Sequence, residues 1–240
     1  MPTLEVQTLD SDSWTIVLER ALPQLVDDAP SLPYDPDRDY PAQRLRQWFE
    51  DFRPADEWRT CLHVRLSSQS DEPVIVRQVS AHVLSRSRPF TGTEVDYPAA
   101  GTGAATAMAL QLDDPQPLAR VLDFGADGPD SGAPGAVRGH FFSGGRFAEF
   151  SQHDAVHLYV EARADTQTVE WELEIETESA GKKHVLRAGR PFNRPFRTTP
   201  QCPPDADVLR LNYAWHLDPP CLIRLDDLEA NRLPPGVTQR

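Results

Sequence analysis

His153, Asp154 and His157 are the residues of this chain whose types and spacing are best suited to chemistry. Histidines four positions apart share a face in a strand or a helix, so this HDxxH cluster can offer two metal nitrogens. The sequence names neither a further ligand nor a partner that would orient either ring. Asp35, Asp37 and Asp39 imitate the first half of a calcium loop. Tyr40 stands where such a loop needs glycine, and Arg46 where it needs the bidentate glutamate, so turn formation accounts for the three aspartates better. Ser143 in HFFSGGRF lacks the leading glycine of a nucleophile elbow, and Gly101-Thr102-Gly103 lacks the GK[ST] of a phosphate loop. Cys61, Cys202 and Cys221 are odd in number and form no CxxC pair. They read as dispersed packing thiols in a reduced, cytoplasmic setting.

The element that must position most of what surrounds these residues is Thr168 to Glu178, TVEWELEIETE. Val169, Trp171, Leu173, Ile175 and Thr177 fall on one side of an extended chain, and Glu170, Glu172, Glu174, Glu176 and Glu178 on the other. Neighbouring glutamates on such a face lie about 7 Å apart and repel by about 0.6 kcal/mol in water. Burying the apolar side contributes roughly 6–12 kcal/mol gross, so the core face decides the strand. The carboxylates become a solvent face that discourages edge-to-edge association. The second reading of the same row, Glu170, Glu172, Glu174 and Glu176, is a docking surface for a partner with a basic surface. After Glu178, SAGK is turn chemistry and the chain returns over His184 to Arg187. A tight loop there places Lys183 opposite Glu178, Arg187 opposite Glu174 and Leu186 opposite Ile175.

Leu45, Trp48, Phe49 and Phe52 recur at i, i+3, i+4 and i+7, which predicts one short amphipathic helix over 41–52, with Pro41 in its first turn and Pro54 ending it. Its stripe docks on the chain's own core or on a partner. Short strands are expected at 4–9, 14–19, 60–67, 73–85, 106–112, 155–163, 208–215 and 221–225. The 60–67 and 73–85 strands read as a tight hairpin. Apolar groups of both parities between Val74 and Leu84 call for a bulge or for burial on both faces. Thr91 to Ala107 and Gly189 to Pro204 read as connections. With no βαβ alternation, the expected fold is a mainly β, antiparallel β-sandwich of about nine short strands. One domain over 1–228 would carry a flexible Gly/Pro-rich insertion at 124–139 and end in a frayed tail at 229–240.

The bulk numbers limit the partners. The chain has 240 residues, a hydrophobic fraction of 39%, 23 prolines and a net charge of −13 with no long basic run. Phosphate binding needs concentrated positive charge, so neither nucleic acid nor an anionic membrane is expected as the main partner. The N-terminus shows no basic and apolar secretion signal, and no apolar run is long enough to span a membrane.

The stretch GRPFNRPFRTTP, Gly189 to Pro200, taken with the VEWELEIETE strand and the GKKHVLR return, resembles uncharacterised proteins of high-GC bacteria. Those carry a strand, turn, strand and "PFRTT" element near the end of a β domain. The likeness extends to part of EPVIVRQVSAHVLSRS, and it implies a β fold and a bacterial context with no catalytic residue to transfer. The expected function is therefore a non-catalytic binding or assembly module. It would act through a protein–protein surface, on another protein or on its own copies, and need no cofactor. The alternative is a metal-dependent enzyme or metal-binding protein centred on His153, Asp154 and His157.

Overall fold

The structure, a computed structural model, describes residues 2–8, 14–30, 41–68, 72–97, 107–123, 136–142, 148–150, 155–190, 194–203, 206–214, 217–218, 221–230 and 232–239. In chain order its elements are β1 (Pro2–Thr8), β2 (Trp14–Leu18), α1 (Leu25–Asp28), α2 (Pro41–Phe49), a 3-10 turn (Glu50–Phe52), β3 (Ala55–Glu57), β4 (Arg59–Ser68), β5 (Val74–Ser87) and β6 (Thr93–Tyr97). There follow β7 (Ala107–Gln111), β8 (Arg120–Asp123), β9 (Ala136–His140), β10 (Ala148–Phe150), β11 (Ala155–Arg163), β12 (Thr168–Ser179) and β13 (Lys182–Ala188). The last are β14 (Phe196–Thr199), β15 (Leu209–Ala214), β16 (Leu217–Asp218), β17 (Cys221–Arg224), α3 (Leu225–Glu229) and β18 (Thr238–Gln239). The mainly β class is as expected.

Three finer expectations are corrected. Among the described residues there are eighteen strands where about nine were expected, the additions being mostly strands of two to five residues such as β3, β6, β8 and β14. The sheets are mixed: β7 runs parallel to β11, and β6 parallel to β15. Parallel neighbours need a long crossover, and about 40 and over 100 residues separate these pairs, a property that side-chain alternation does not encode. Two further helices of one turn or so, α1 and α3, accompany α2, which itself ends in the 3-10 turn.

The chain folds into two compact units. Unit 1 takes Met1–Leu9, Trp58–Arg88 and Thr102–Pro200, and unit 2 takes Asp10–Glu57, Pro89–Gly101 and Gln201–Arg240. In unit 1 one sheet runs in the order β1-β4-β11-β7-β8-β9. The other places β5 between β10 and β12, and the far edge of β12 pairs with both β13 and β14. The two sheets bury their inward faces in one core. Leu62, Val64, Leu158 and Val160 come from the first sheet, and Val76, Val79, Trp171, Leu173 and Phe196 from the second. The predicted hairpin of 60–67 with 73–85 does not form, because β4 and β5 lie in different sheets and pair with β1 and β11, and with β10 and β12.

The mixed phase of β5 is the work of bulges. Its register against β12 slips twice, passing over Arg77 and Leu84. Val74 and Val76 point inward before the first bulge, and Val79 and Ala81 after it, which is how both parities reach the core. Within the core Trp171 Nε1 donates to Thr198 Oγ1 at 3.0 Å, and Thr198 Oγ1 lies 2.7 Å from Thr60 Oγ1, so the indole N–H is satisfied. On the outward side of the first sheet Glu161 is fully buried and ion-paired with Arg163 and Arg59.

Unit 2 is a sheet in the order β3-β2-β6-β15-β17. Trp14, Tyr97 and Tyr213 stack in a row across β2, β6 and β15, with successive ring centroids 5.3 Å apart. Phe49 of α2 meets Trp14 edge-on. Gly92 is required by close approach, because a Cβ there would lie 2.1 Å from the Arg20 carbonyl carbon. Of the stretch 124–139, residues 124–135 lie outside the described residues, and 136–139 open β9, paired with β8. In place of a frayed tail, β18 pairs with β16, and Leu233 and Val237 pack on Leu217 and Ile223. No helix among the described residues is long and apolar enough to cross a membrane.

Candidate functional site

The outward face of β5, β12 and β13 is a polar surface of unit 1 that carries the predicted row of glutamates. It is built by β12, whose inward Val169, Trp171, Leu173 and Ile175 are fully buried and so turn every glutamate outward. The cross-strand register places Glu174 opposite Arg187, Ile175 opposite Leu186 and Glu178 opposite Lys183, as the sequence predicts. The turn has two residues, Ala180 at φ 51° and Gly181 at φ 71°, both left-handed as a two-residue hairpin requires.

The glutamates are half-buried and mostly paired. Glu170 Oε2 accepts from Arg197 Nη2 at 3.3 Å, Glu174 Oε2 from Arg187 at 2.8 Å, and Glu178 Oε2 from Arg77 Nε at 3.1 Å. Such exposed or half-exposed pairs contribute about 0.2–1 kcal/mol each and chiefly fix geometry. Glu172 and Glu176 have no ion pair among the described residues. They face His82 and Gln78 on β5, and Glu176 faces Val185 on β13. Two large apolar side chains are exposed on the same two flanking strands, Leu84 at 48% and Val185 at 55%. Leu84 is turned out by its bulge.

Beside Glu174 the face is recessed. A cavity of about 420 Å3 is lined by Gln78, Ser80, His82, Gln116, Leu118 and Glu174 among others. The loop over 112–118 forms its wall. Ala81 N–H donates to Pro117 O and Ala119 N–H to Val79 O, so this loop covers the edge of β5 beyond β10. Arg86 Nη2 donates to the carbonyls of Leu112 and Asp114, each at 2.9 Å, and holds the loop down. The β5 residues of this recess were not legible as one face in the sequence, because the bulges hide their period.

The other predicted site residues are placed as follows. Leu45 and Phe49 are fully buried in the core of unit 2 with Trp14, Ile16 and Tyr213, so the helix stripe is largely used internally. Trp48 is half-buried, Phe52 is 36% exposed, and their rings meet at 5.1 Å. His153 and Asp154 lie outside the described residues. His157 is exposed on β11, its Nδ1 is 3.0 Å from Nε2 of His63 on β4, and the two rings stack at 5.0 Å. One nitrogen donates and the other accepts. His63 was missed in the sequence because it stands 94 residues from His157 and belongs to an outward row of β4 with no motif. On the same face Tyr159 donates to Cys61 Sγ at 3.3 Å. Burial, with the Cys61 thiol beside it, pushes the Tyr159 phenol well above its ordinary value, so it stays a donor at neutral pH. Cys61, Cys202 and Cys221 are free thiols.

No family model matches the chain, and no curated protein or solved structure matches it either.

Proposed function

We propose that this chain is a non-catalytic β-sandwich module that binds another protein, or its own copies, through the outward face of β5, β12 and β13. The observation that carries the reading is the composition of that face. Two carboxylates without ion pairs among the described residues, Glu172 and Glu176, share the face with exposed Leu84 and Val185 and a cavity of about 420 Å3, within a frame held by three arginine–glutamate pairs. Leu84 and Val185 offer apolar contacts on either side of β12, and the recess offers room for a side chain. A binding face uses apolar anchors ringed by polar groups. Because most of the glutamates are already neutralised by arginines, the charge offered to a partner is local, at Glu172 and Glu176. The partner then needs one or two basic side chains and an apolar contact, in place of a broadly basic surface.

The test compares wild type with Glu172→Lys/Glu176→Lys and with Val185→Asp. Binding partners are captured by crosslinking, and self-assembly is followed by sedimentation velocity. The expected result is that crosslinks map to β5, β12 and β13 and are lost in both variants. A charge reversal at exposed Asp226 should leave them unchanged. If all four chains retain the same crosslinks and the same sedimentation, this face is not the binding surface.

A further inference from the structure

Unit 2 brings three metal-ligating side chains from separate elements to one point. Glu57 ends β3, Glu94 lies in β6, and Cys202 lies in the connection ahead of β15. A carboxylate oxygen of each glutamate and the Cys202 sulfur all lie within 4.8 Å of one another. The glutamates are half-buried, and Cys202 is 7% exposed.

The arrangement is held from several sides. Cys202 N–H donates to Glu57 Oε1 at 2.7 Å, and Arg210 Nε lies 3.4 Å from Glu94 Oε2. Asp96, two residues along β6, accepts from Thr15 Oγ1 at 2.9 Å and from Asn212 Nδ2 at 3.3 Å. Packing alone does not explain this. Val17, Ala55 and Phe90 give Cys202 an apolar wall on one side, where its thiol donates to Phe90 O at 3.7 Å, while the carboxylates of Glu57 and Glu94 stand close to the sulfur on the other. A purely structural thiol is placed among apolar groups, and a solvated acidic patch does not enclose a buried sulfur.

The charge balance points the same way. Glu57, Glu94 and Asp96 face one another with Arg210 as the cation beside them, so negative charge exceeds positive in a partly dry site. Burial pushes all three carboxyls above their ordinary values, with their mutual repulsion adding to it at Glu57 and Glu94. Burial, then Glu57 and Glu94, push the Cys202 thiol up to about 12. Arg210 pairs with Glu94, and a dication would balance the further negative charge gathered at this point.

We propose that Glu57, Glu94 and Cys202 form a binding site for one divalent cation of the zinc type. Two oxygens and one sulfur suit a borderline ion. Magnesium and calcium take all-oxygen shells, and the softest ions favour sulfur throughout. Ligand atoms around a tetrahedral ion stand roughly 3.5 Å apart, so the three side chains close on it by about an ångström, and the fourth position is left to water. On binding, the Cys202 S–H bond breaks and its proton leaves to solvent as the sulfur–metal bond forms. Any proton on Glu57 or Glu94 leaves too, and nothing is oxidised or reduced. A dication with two carboxylates and one thiolate carries one net negative charge, which Arg210 beside Glu94 offsets.

The full chain is titrated with Co2+ in weakly buffered solution and then with Zn2+. The expected result is a thiolate-to-cobalt charge-transfer band that saturates at one ion per chain, releases at least one proton and is abolished by Zn2+. Cys202→Ser should lose the band, and Glu57→Gln and Glu94→Gln should weaken apparent affinity about ten-fold or more. Cys61→Ser and Cys221→Ser should leave it unchanged. No saturable band up to millimolar cobalt, or a band that survives Cys202→Ser, overturns the site. So does one that is lost in Cys61→Ser or Cys221→Ser. If Cys202→Ser does not fold, the two glutamine variants, which keep side-chain shape, decide: unchanged affinity in both overturns it.

Discussion

Thr177 closes the inward row of β12 with its hydroxyl buried and, among the described residues, without a hydrogen-bond partner. A buried hydroxyl left unsatisfied costs about 1–3 kcal/mol, whereas replacing it by a methyl of the same shape removes the cost. Thr177→Val should therefore raise the urea midpoint of unit 1, by about 1 kcal/mol or more of stability. A lower midpoint would mean that the hydroxyl does find a partner. Trp171 shows the opposite case. Its indole N–H is matched to Thr198, so truncating either partner would expose a polar group that is now satisfied.

The β12–β13 hairpin was readable in the sequence to the level of individual pairs. Alternation fixes which side chains share a face, and a short turn fixes the register, so Glu174 with Arg187 and Glu178 with Lys183 follow from local information alone. The turn itself is imperfect. Ala180 occupies a left-handed position at φ 51°, where a residue with a Cβ is disfavoured by about 1–2 kcal/mol and asparagine less so. Ala180→Asn should raise the thermal midpoint, with a gain of about 0.5–1 kcal/mol, and Gly181→Ala should lower it. What was not readable are contacts between distant strands. His63 with His157, and Glu57 with Cys202, join residues 94 and 145 positions apart. β6, TEVDY, does alternate, with Thr93, Val95 and Tyr97 buried. Its five residues stand beside a Gly- and Ala-rich stretch, and the strand acquires its meaning from a parallel partner more than a hundred residues later.

At the scale of the molecule, the raised carboxyls of unit 2 set the sign of a pH dependence. Glu57, Glu94 and Asp96 bind protons more tightly folded than unfolded, with burial the first cause in each. Their contribution to stability is fully present below the ordinary carboxylate range and is lost as pH rises through the raised values. In the presence of a chelator, unit 2 should thus weaken as pH rises above the ordinary carboxylate range, against the usual trend of acid denaturation. Glu57→Gln, whose amide oxygen can still accept from Cys202 N–H, should flatten that slope when urea midpoints are measured at several pH values. Equal slopes for the two chains would show that Glu57 is ionised alike in both states.

The chain passes from one unit to the other at 9/10, 57/58, 88/89, 101/102 and 200/201. During synthesis neither unit is completed early. β2 and β6 are made within the first hundred residues but wait for β15, and β4 and β5 wait for β11 and β12. For most of its time on the ribosome the nascent chain therefore holds half-built sheets with unpaired edges and bare apolar faces. The core of unit 1 can close only once the chain has emerged to about Pro200, and that of unit 2 only once the last sixth of these residues has followed. That interval, and not the finished fold, is when the chain's apolar surface is most open to association with other chains.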